Sequence, residues 1–290
     1  MKDRDVEAAV RQVYDFCPPT VTRYSDEGRT AYEQAWAAFM TTLDLGPDRL
    51  RGRRLLDVGC GSAEKATFYH DWGAQVTGVD MTPAVLERAR ETIGDRPIRL
   101  IHSSLFDLSL NERFDVVVSD GVLHHTGNTL NGLRWCVDHL EPGGQLMFAL
   151  VNVWGSFWWF KPARAVTYVL GGRDYHARAR WGQRLFGRLR GGQEGSEQNS
   201  FFRSTQSWAY DWFANPRWSA HRPGEIRRWL DELNLDYVGS VPSLMVKRSP
   251  ATWYQRLFRR VSGGGPSAMG WYWLICGEPN MVYVTARKRV

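Results

Sequence analysis

A glycine-rich turn after residue 58 is the first feature of the sequence that suggests chemistry. The run LLDVGCGSAEKA, residues 55–66, has the pattern of an apolar strand, a turn with Gly59 and Gly61, and a helix. Glycine lets a ligand approach the backbone closely. A dinucleotide-binding turn has Gly or Ala at its third position, where this chain has Glu64. Because a carboxylate repels a pyrophosphate, the turn favours a ligand that carries positive charge.

An acidic residue at the end of the next predicted strand is the second feature. Asp80 closes the segment VTGVD, which follows the glycine-rich turn. An acid at this place is suited to hydrogen-bond both hydroxyls of a ribose. A turn or a helix cap is the alternative role for the same carboxylate.

Two adjacent histidines and an aspartate follow the fourth predicted strand. His124 and His125 come shortly after Asp120, in the segment SDGVLHHT. An imidazole with an ordinary pKa near 6.5 takes up a proton at neutral pH, so each histidine is a candidate general base, and Asp120 is a third candidate. Adjacent side chains diverge, and we expect only one of the two histidines to reach a bound ligand. Packing against the ligand or the core is the alternative role.

The elements that must position these residues alternate between strands and helices. Strands are predicted at residues 54–58, 75–80, 98–102, 114–119 and 145–151. Helices are predicted at 63–72, from Pro83 onward, and at 129–140. A predicted turn at 141–144 ends the last of these helices. Thr82 is the predicted cap of the helix at Pro83. Alternating strands and helices joined by short loops indicate a parallel sheet, which binds ligands at the carboxyl ends of its strands.

The chain divides into four expected segments. They are an N-terminal helical segment at 1–50, a ligand-binding core at 51–152, an aromatic and basic cap insertion at 153–222, and a C-terminal completion of the sheet at 223–290. The N-terminal segment has predicted helices at 5–16 and 30–44. The C-terminal segment has a predicted helix at 223–233, strands at 235–241 and 281–286, and an insertion at 242–270. The periodicity of apolar residues in each helix or strand supports this division.

Four of these segments, in this order, resemble the class I S-adenosylmethionine-dependent methyltransferase superfamily. They are DVGCGSAEKA, VTGVDMTP, FDVVVSDGVLHHTGN and LEPGGQLMFAL. The chain is most similar to the branch with a GVLHHT segment, many of whose members act on small molecules. Related GVLHHT and VLEH patterns share a histidine at the position of His125, so the resemblance favours His125 as the histidine that reaches the ligand. The resemblance implies a Rossmann-like, seven-stranded, mostly parallel sheet with helices on both faces, plus the N-terminal helices and an inserted helical cap.

The resemblance also implies a role for individual residues. Those expected to bind S-adenosylmethionine are Asp57, Gly59, Cys60 and Gly61 at its methionine end, Asp80 at the ribose, Met81 on the adenine, Ser104 with Leu105 at the adenine amino group, and Asp120 facing the reacting methyl. Some relatives carry a Glu-x-x-Glu-His metal set where this chain has Gly121, His124 and His125. Both glutamates are missing, so no metal is expected.

The second half of the chain is rich in aromatic and basic residues. Trp154, Trp158, Trp208 and Trp212 are candidates for lining a substrate pocket, and the core of the cap is their alternative place. Residues 151–190 carry a net charge of +7 within a chain of net charge +6. This stretch includes a predicted basic amphipathic helix at 178–190. It is either a solvated face or a contact for an anionic substrate, a membrane surface or RNA.

Composition limits the cellular setting. The four cysteines form no CxxC pair, which indicates a reducing compartment and no structural zinc. The N-terminus is charged, and no apolar stretch approaches the ~18–20 residues that cross a bilayer. We therefore expect a cytoplasmic protein without a signal peptide. The sequence leaves the oligomeric state open.

These features together predict a methyltransferase that transfers a methyl group from S-adenosylmethionine to an oxygen or nitrogen atom of a small molecule, less readily to carbon or sulfur, in specialised metabolism. The product would be S-adenosylhomocysteine, and no nucleic-acid partner is expected. A methyltransferase directed at RNA or at a membrane lipid through residues 151–190 is the alternative. A non-catalytic protein that binds the cofactor and an NAD-dependent oxidoreductase are further alternatives, and Glu64 disfavours the second.

Overall fold

The computed structural model describes residues 3–17, 26–153, 160–190, 205–241, 243–244 and 281–290. Trp154, Trp158 and almost all of the predicted insertion at 242–270 lie outside these residues. The strands are β1 Arg54–Val58, β2 Gln75–Asp80, β3 Arg99–His102, β4 Phe114–Asp120, β5 Leu140–Val151, β6 Leu235–Val241 and β7 Met281–Lys288. The helices are α1 Asp3–Phe16, α2 Asp26–Thr42, α3 Pro47–Leu50, α4 Glu64–Asp71, α5 Pro83–Ile93, α6 Thr129–Asp138, α7 Phe160–Gly171, α8 Tyr175–Arg190, α9 Thr205–Ala209 and α10 Pro223–Glu232.

The strands form one seven-stranded sheet in the order β3-β2-β1-β4-β5-β7-β6. Strands β1 to β5 pair in parallel, and β7 pairs antiparallel with both β5 and β6. The strand order reverses between β1 and β4, so a crevice opens at the carboxyl ends of these two strands. The predicted Rossmann-like, mostly parallel sheet is confirmed.

Buried side chains on both faces of the sheet hold the helices against it. Successive residues of a strand point to opposite faces, and Leu55 and Leu56 accordingly enter two different clusters. Leu55 packs with side chains of α2, α4 and α5, among them Met40, whereas Leu56 packs with those of α6 and α10. Both leucines are fully buried. Strands covered on both faces in this way keep the carboxyl edge of the sheet in a fixed position.

Two local predictions need correction. Strand β5 begins at Leu140, so the predicted turn at residues 141–144 lies inside the strand, where Gly143 has a φ of 76° and the register with β4 shifts. Thr82 precedes α5, but its side chain makes no capping hydrogen bond. Its backbone N–H instead donates to an oxygen of Asp80 at 2.9 Å. The cap position is therefore used to hold the carboxylate at the end of β2.

The cap contains a π-helix at Tyr210–Ala214, between α9 and α10. The N–H of Asn215 donates to the carbonyl of Tyr210, and a π-helix of this kind is often found at functional sites. The guanidiniums of Arg164 and Arg178 donate to carbonyls at its carboxyl end. Burial lowers the pKa of Arg164 to about 10, with a further lowering from Arg178. Two of the basic residues in the 151–190 stretch therefore stabilise the cap.

Candidate active site

Two adjoining cavities open at the carboxyl ends of β1, β2 and β4. The first has a volume of about 280 Å³ and extends from the glycine-rich turn to the N-terminal helices. The second, of about 270 Å³, lies under the cap. The residues common to both linings are Lys65, Asp120, Gly121, His125 and Asp211. A ligand in the first cavity and another in the second would meet at these residues, which we call the junction.

The glycine-rich turn forms one wall of the first cavity. Gly59 and Gly61 have positive φ angles of 71° and 57°, which glycine adopts without strain. A side chain at Gly59 would collide with the loop that follows β4, because its Cβ would lie 2.3 Å from the side chain of Val122. Glycine is therefore required at residue 59 for close packing of the turn against the loop that carries His125.

Asp80 lies at the end of β2 and is held by the turn. One of its oxygens accepts a hydrogen bond from the N–H of Gly61 at 3.1 Å, and the other from the N–H of Thr82. Burial raises the pKa of Asp80, while these two donors oppose the increase. The carboxylate thus anchors the turn, which is its alternative role, and it also lines the cavity, where the predicted contact with a ribose stays a prediction.

Asp57, near the carboxyl end of β1, is a buried carboxyl group in the cavity wall. Burial raises the pKa of Asp57 to about 7, with Asp120 and Asp80 adding to the increase and Lys65 opposing it. A buried carboxylate is stable only beside a compensating positive charge. The cavity is therefore suited to a ligand that brings a cation close to Asp57.

The far end of the first cavity differs from the prediction. Ser103 and Leu105 line it, whereas the side chain of Ser104 donates to the carboxylate of Glu7 at 2.8 Å. Glu7 belongs to α1 and itself lines the cavity. Ser104 therefore holds the side chain of Glu7, which lines the cavity, and is not itself in the cavity lining. Met81 and Cys60 line the cavity as well, as their predicted role requires.

Lys65 and Asp120 form an ion pair at the junction. The ammonium of Lys65 also lies 3.9 Å from the centre of the Trp36 ring, within range of a cation–π interaction. Burial lowers the pKa of Lys65, but Asp120 more than offsets this effect and raises it above its ordinary value. The carboxylate of Asp120 is thus paired with a positive charge at the end of β4. Lys65 was not predicted from the sequence, although it lies in the first turn of the helix that follows the glycine-rich turn.

The two histidines take different positions on a 3₁₀ turn at Leu123–His125. His125 lines both cavities, and its Nδ1 lies 2.8 Å from the carbonyl oxygen of Arg217. A carbonyl only accepts hydrogen bonds, so Nδ1 carries the hydrogen of the neutral ring and Nε2 is left as the basic nitrogen. His124 lines the second cavity only, and its carbonyl accepts from the N–H and hydroxyl of Ser219.

Asp211 completes the junction from the cap. One of its oxygens lies 3.7 Å from Nε2 of His125 and accepts a hydrogen bond from the hydroxyl of Tyr14 at 2.9 Å. Asp211 is the one acidic residue in the aromatic segment SWAYDWFANPRWSA. A single acidic residue among apolar ones could have marked Asp211 as a candidate site residue from the sequence. Tyr14 carried no comparable signal, because it lies on a helix far away in the chain.

Aromatic side chains form the wall of the second cavity. Phe160, Trp212, Trp218 and Tyr283 line it, together with Met281. Trp208 is not among the described residues that line either cavity. It is buried in the core of the cap, with Ala163 and Phe213. The prediction that Trp208 faces the substrate is therefore wrong, whereas the ring of Trp212 lies in the wall.

The family comparison agrees with this geometry. Residues 56–148, roughly a third of the chain, match the family model described as a methyltransferase domain. This match covers β1 to β5 and most of the first cavity wall. The chain contains a class I S-adenosylmethionine-dependent methyltransferase domain. Tyr14, on the N-terminal helix, and Asp211, in the cap, lie outside the match.

The relatives of this methyltransferase domain include several ubiquinone biosynthesis O-methyltransferases. The protein of Stutzerimonas stutzeri strain A1501 is 34% identical over 130 residues, which are 43% of this chain and 53% of the relative. That of Pseudomonas entomophila strain L48 is 35% identical over 107 residues, covering 36% of this chain and 46% of the relative. The chain thus spans about half the length of the curated relatives it matches.

Solved structures share the fold of the methyltransferase domain. PKMT2 from Rickettsia typhi, in complex with AdoHcy, superimposes with a TM-score of 0.57 at 16% identity, covering 88% of this chain and 54% of that one. The plantazolicin methyltransferase BpumL, in complex with a pentazolic desmethylPZN analog and SAH, gives a TM-score of 0.50 at 13% identity, covering 100% and 99% of the two chains. At these identities the likeness concerns the fold alone.

Proposed function

We propose that this chain is an O-methyltransferase that transfers a methyl group from S-adenosylmethionine to a hydroxyl group of a small molecule with an aromatic or apolar body. The observation that carries the proposal is the position of His125, whose basic nitrogen faces the junction between the two cavities. The O-methyltransferases among the relatives support oxygen as the atom that accepts the methyl group.

The first cavity provides groups that fit S-adenosylmethionine. Asp57 is a buried acid whose raised pKa calls for a cation, and Asp80 presents its carboxylate oxygens at the end of β2. Asp57 would bind the positively charged methionine end, and Asp80 the ribose. When bound, S-adenosylmethionine supplies an electrophilic methyl group on a sulfonium. The residues of the chain hold both molecules, exclude water and remove the proton.

The junction provides the means to remove a proton from the acceptor. An alcohol or phenol becomes a better nucleophile as it loses its proton, and Nε2 of His125 is the basic atom that faces both cavities. Nε2 of His125 would take the proton of the acceptor hydroxyl as its oxygen receives the methyl group. The imidazolium then lies 3.7 Å from Asp211, whose carboxylate stabilises its charge.

The acceptor cavity favours a flat or apolar molecule. Its rings are contributed by Phe160, Trp212, Trp218 and Tyr283, which provide apolar surface and ring faces for stacking. Polar groups of the cavity lie on one side, at Asp120 and the two histidines. This division would turn the hydroxyl of the acceptor toward the junction and its apolar body toward the cap.

Turnover of S-adenosylmethionine with a panel of acceptors tests the proposal. Phenols, catechols, aliphatic alcohols and amines of matched size would be compared by release of S-adenosylhomocysteine. With the best hydroxyl acceptor, His125→Gln should lower kcat by about 10²–10⁴-fold and leave S-adenosylhomocysteine affinity nearly unchanged. His70→Gln, on a helix end remote from the junction, is the control. Transfer only to amines, or a His125→Gln variant with normal kcat, would contradict the proposal.

A second candidate function, methylation of an acceptor carried by a membrane, is favoured by an exposed apolar face on α7. Val166, Val169 and Leu170 share this face, and Val169 is 81% exposed. Arg173 follows one turn later, and Arg180 and Arg184 lie exposed on α8. An apolar face beside basic residues fits an anionic lipid surface. None of the helices that the structure describes is long and apolar enough to cross a bilayer.

Sedimentation with lipid vesicles separates the two candidates. If the apolar face docks on membranes, the protein should sediment with phosphatidylglycerol vesicles more than with phosphatidylcholine vesicles. The double substitution Val169→Ser with Leu170→Ser should then weaken that binding at least tenfold. Val290→Ser, which removes an exposed apolar side chain elsewhere, is the control. No sedimentation with either vesicle would exclude the membrane candidate.

A further inference from the structure

We propose that Tyr14, on the N-terminal helix α1, is a positioning residue that fixes Asp211 beside His125. The inference rests on the proposed role of His125 as the group that removes the acceptor proton. Tyr14 lies outside the residues matched by the family model, and its partner Asp211 is 197 residues away in the chain.

The direction of the hydrogen bonds around Tyr14 follows from its neighbour Asn215. The side-chain oxygen of Asn215 accepts from the N–H of Arg217 at 3.2 Å, so its amide nitrogen faces the hydroxyl of Tyr14, at 2.8 Å. An amide nitrogen only donates, and the oxygen of Tyr14 is therefore the acceptor in that contact. The hydroxyl hydrogen of Tyr14 is left to point at Asp211. Asn215 is fully buried, which holds this arrangement in place.

The hydrogen bond from Tyr14 affects the environment of His125. It is donated to Oδ1 of Asp211, the same oxygen that lies 3.7 Å from Nε2 of His125. A donated hydrogen bond stabilises an ionised carboxylate and restricts its rotation. On the other side of the imidazole, the carbonyl of Arg217 fixes Nδ1. Tyr14 and Arg217 thus act from opposite sides to hold a carboxylate and an imidazole in one geometry.

Packing of α1 explains why this helix can supply the residue. Val13 is buried in a cluster with Ala179, Tyr210 and Ala214 of the cap. Glu7, Val10 and Tyr14 lie at helical spacing and face the first cavity. The helix therefore covers the cofactor cavity and reaches the junction at its carboxyl end. A tyrosine there connects the covering helix to the proposed base.

The alternative is that Tyr14 only forms part of the cavity wall. The charged and titratable groups around His125 include Tyr14, Lys65, Asp120, His124, Asp211 and the guanidinium of Arg217, which donates to the carbonyls that follow His125. If Asp211 is held close by Tyr14, its negative charge favours the protonated imidazole, and loss of the Tyr14 hydroxyl should lower the pKa of His125. If Tyr14 only fills space, Tyr14→Phe should leave that pKa unchanged.

NMR titration of the histidine rings in the complex with S-adenosylhomocysteine tests this proposal without an acceptor. The His125 signals are assigned by their loss in His125→Gln. Asp211→Asn should lower the midpoint of the His125 titration, and Tyr14→Phe should shift it in the same direction by a smaller amount. Tyr14→Phe in the Asp211→Asn background should produce no further shift. Tyr237→Phe, which removes a hydroxyl bonded to Ser240 on β6, is the matched control.

Affinity for S-adenosylhomocysteine, measured by calorimetry, is the second readout. It should stay within about threefold of the unaltered protein in both Tyr14→Phe and Asp211→Asn. An unchanged or raised His125 midpoint in Tyr14→Phe, or a shift that persists fully in the Asp211→Asn background, would overturn the positioning role. The titration does not depend on methyl transfer, so failure of the acceptor panel and failure of this inference remain distinguishable.

Discussion

At the scale of single residues, the first cavity is shaped by carboxyl groups that are buried before any ligand arrives. Asp57 and Asp80 both have raised pKa values, and burial is the largest cause in each case. The two carboxylates differ in the groups that stabilise their negative charge. Asp80 accepts hydrogen bonds from two backbone N–H groups, whereas the main compensating charge near Asp57 is Lys65, already paired with Asp120. Asp57 is therefore the group that a cationic ligand would change most.

Binding of S-adenosylmethionine should depend on pH through Asp57. With a pKa of about 7 before a ligand binds, this carboxyl is mostly protonated below pH 7 and must release its proton to pair with a cation. Affinity should therefore rise as the pH increases from 6 to 8, approaching tenfold per pH unit at the acid end, and then level off. Calorimetry in buffers of different ionisation enthalpy would detect the released proton.

Asp57→Asn should flatten that pH dependence, and Asp95→Asn, at an exposed site, should preserve it. The same raised pKa has a consequence for the protein without ligand. The unfolded chain ionises Asp57 near pH 4 and the folded chain near pH 7, so the free energy of unfolding should fall as the pH rises between these values. An affinity that is constant from pH 6 to 8 would show that Asp57 does not face the cation.

At the scale of elements, the glycine-rich turn and the loop that carries the histidines are packed directly together. A Cβ at Gly59 would lie 2.3 Å from the side chain of Val122, two residues before His124. The turn that contacts the cofactor and the loop that contacts the acceptor therefore cannot move independently. Sequence patterns predicted both elements, because strands, turns and helices have local signals. Their contact depends on tertiary packing and carries no local signal.

Gly59→Ala should therefore disturb both cavities. An alanine at residue 59 would be strained by the positive φ angle and would collide with Val122. We therefore expect loss of S-adenosylhomocysteine affinity together with a lower Tm. Adding Val122→Ala should restore part of the affinity by removing the collision. Gly94→Ala is the control, since Gly94 also has a positive φ but open space around its Cβ; it should cost about 1–3 kcal/mol of stability through backbone strain alone. Equal effects of Gly59→Ala and Gly94→Ala would contradict the packing argument.

At the scale of the whole molecule, three parts of the chain meet at one junction. The Rossmann-like core contributes Lys65, Asp120 and His125, the cap contributes Asp211, and the N-terminal helix contributes Tyr14. The core could be predicted from the sequence because its motifs lie on consecutive strands of one sheet. The other two contributions could not, since Tyr14 and Asp211 are brought together only by the folded cap. The predicted positions of Ser104 and Trp208 were wrong for the same reason. Ser104 is turned toward Glu7, and Trp208 is buried in the core of the cap, and both contacts form only in the folded chain.

Binding of S-adenosylhomocysteine by the intact protein, measured by calorimetry beside NAD, tests the central claim most directly. The cavity has buried acids at β1 and β2 and Glu64 at the helix start, which suit a cationic nucleoside and repel a pyrophosphate. We expect S-adenosylhomocysteine to bind with a micromolar Kd, about −7 to −9 kcal/mol, and NAD to give no heat of binding. Tight binding of NAD without any response to S-adenosylhomocysteine would contradict the account.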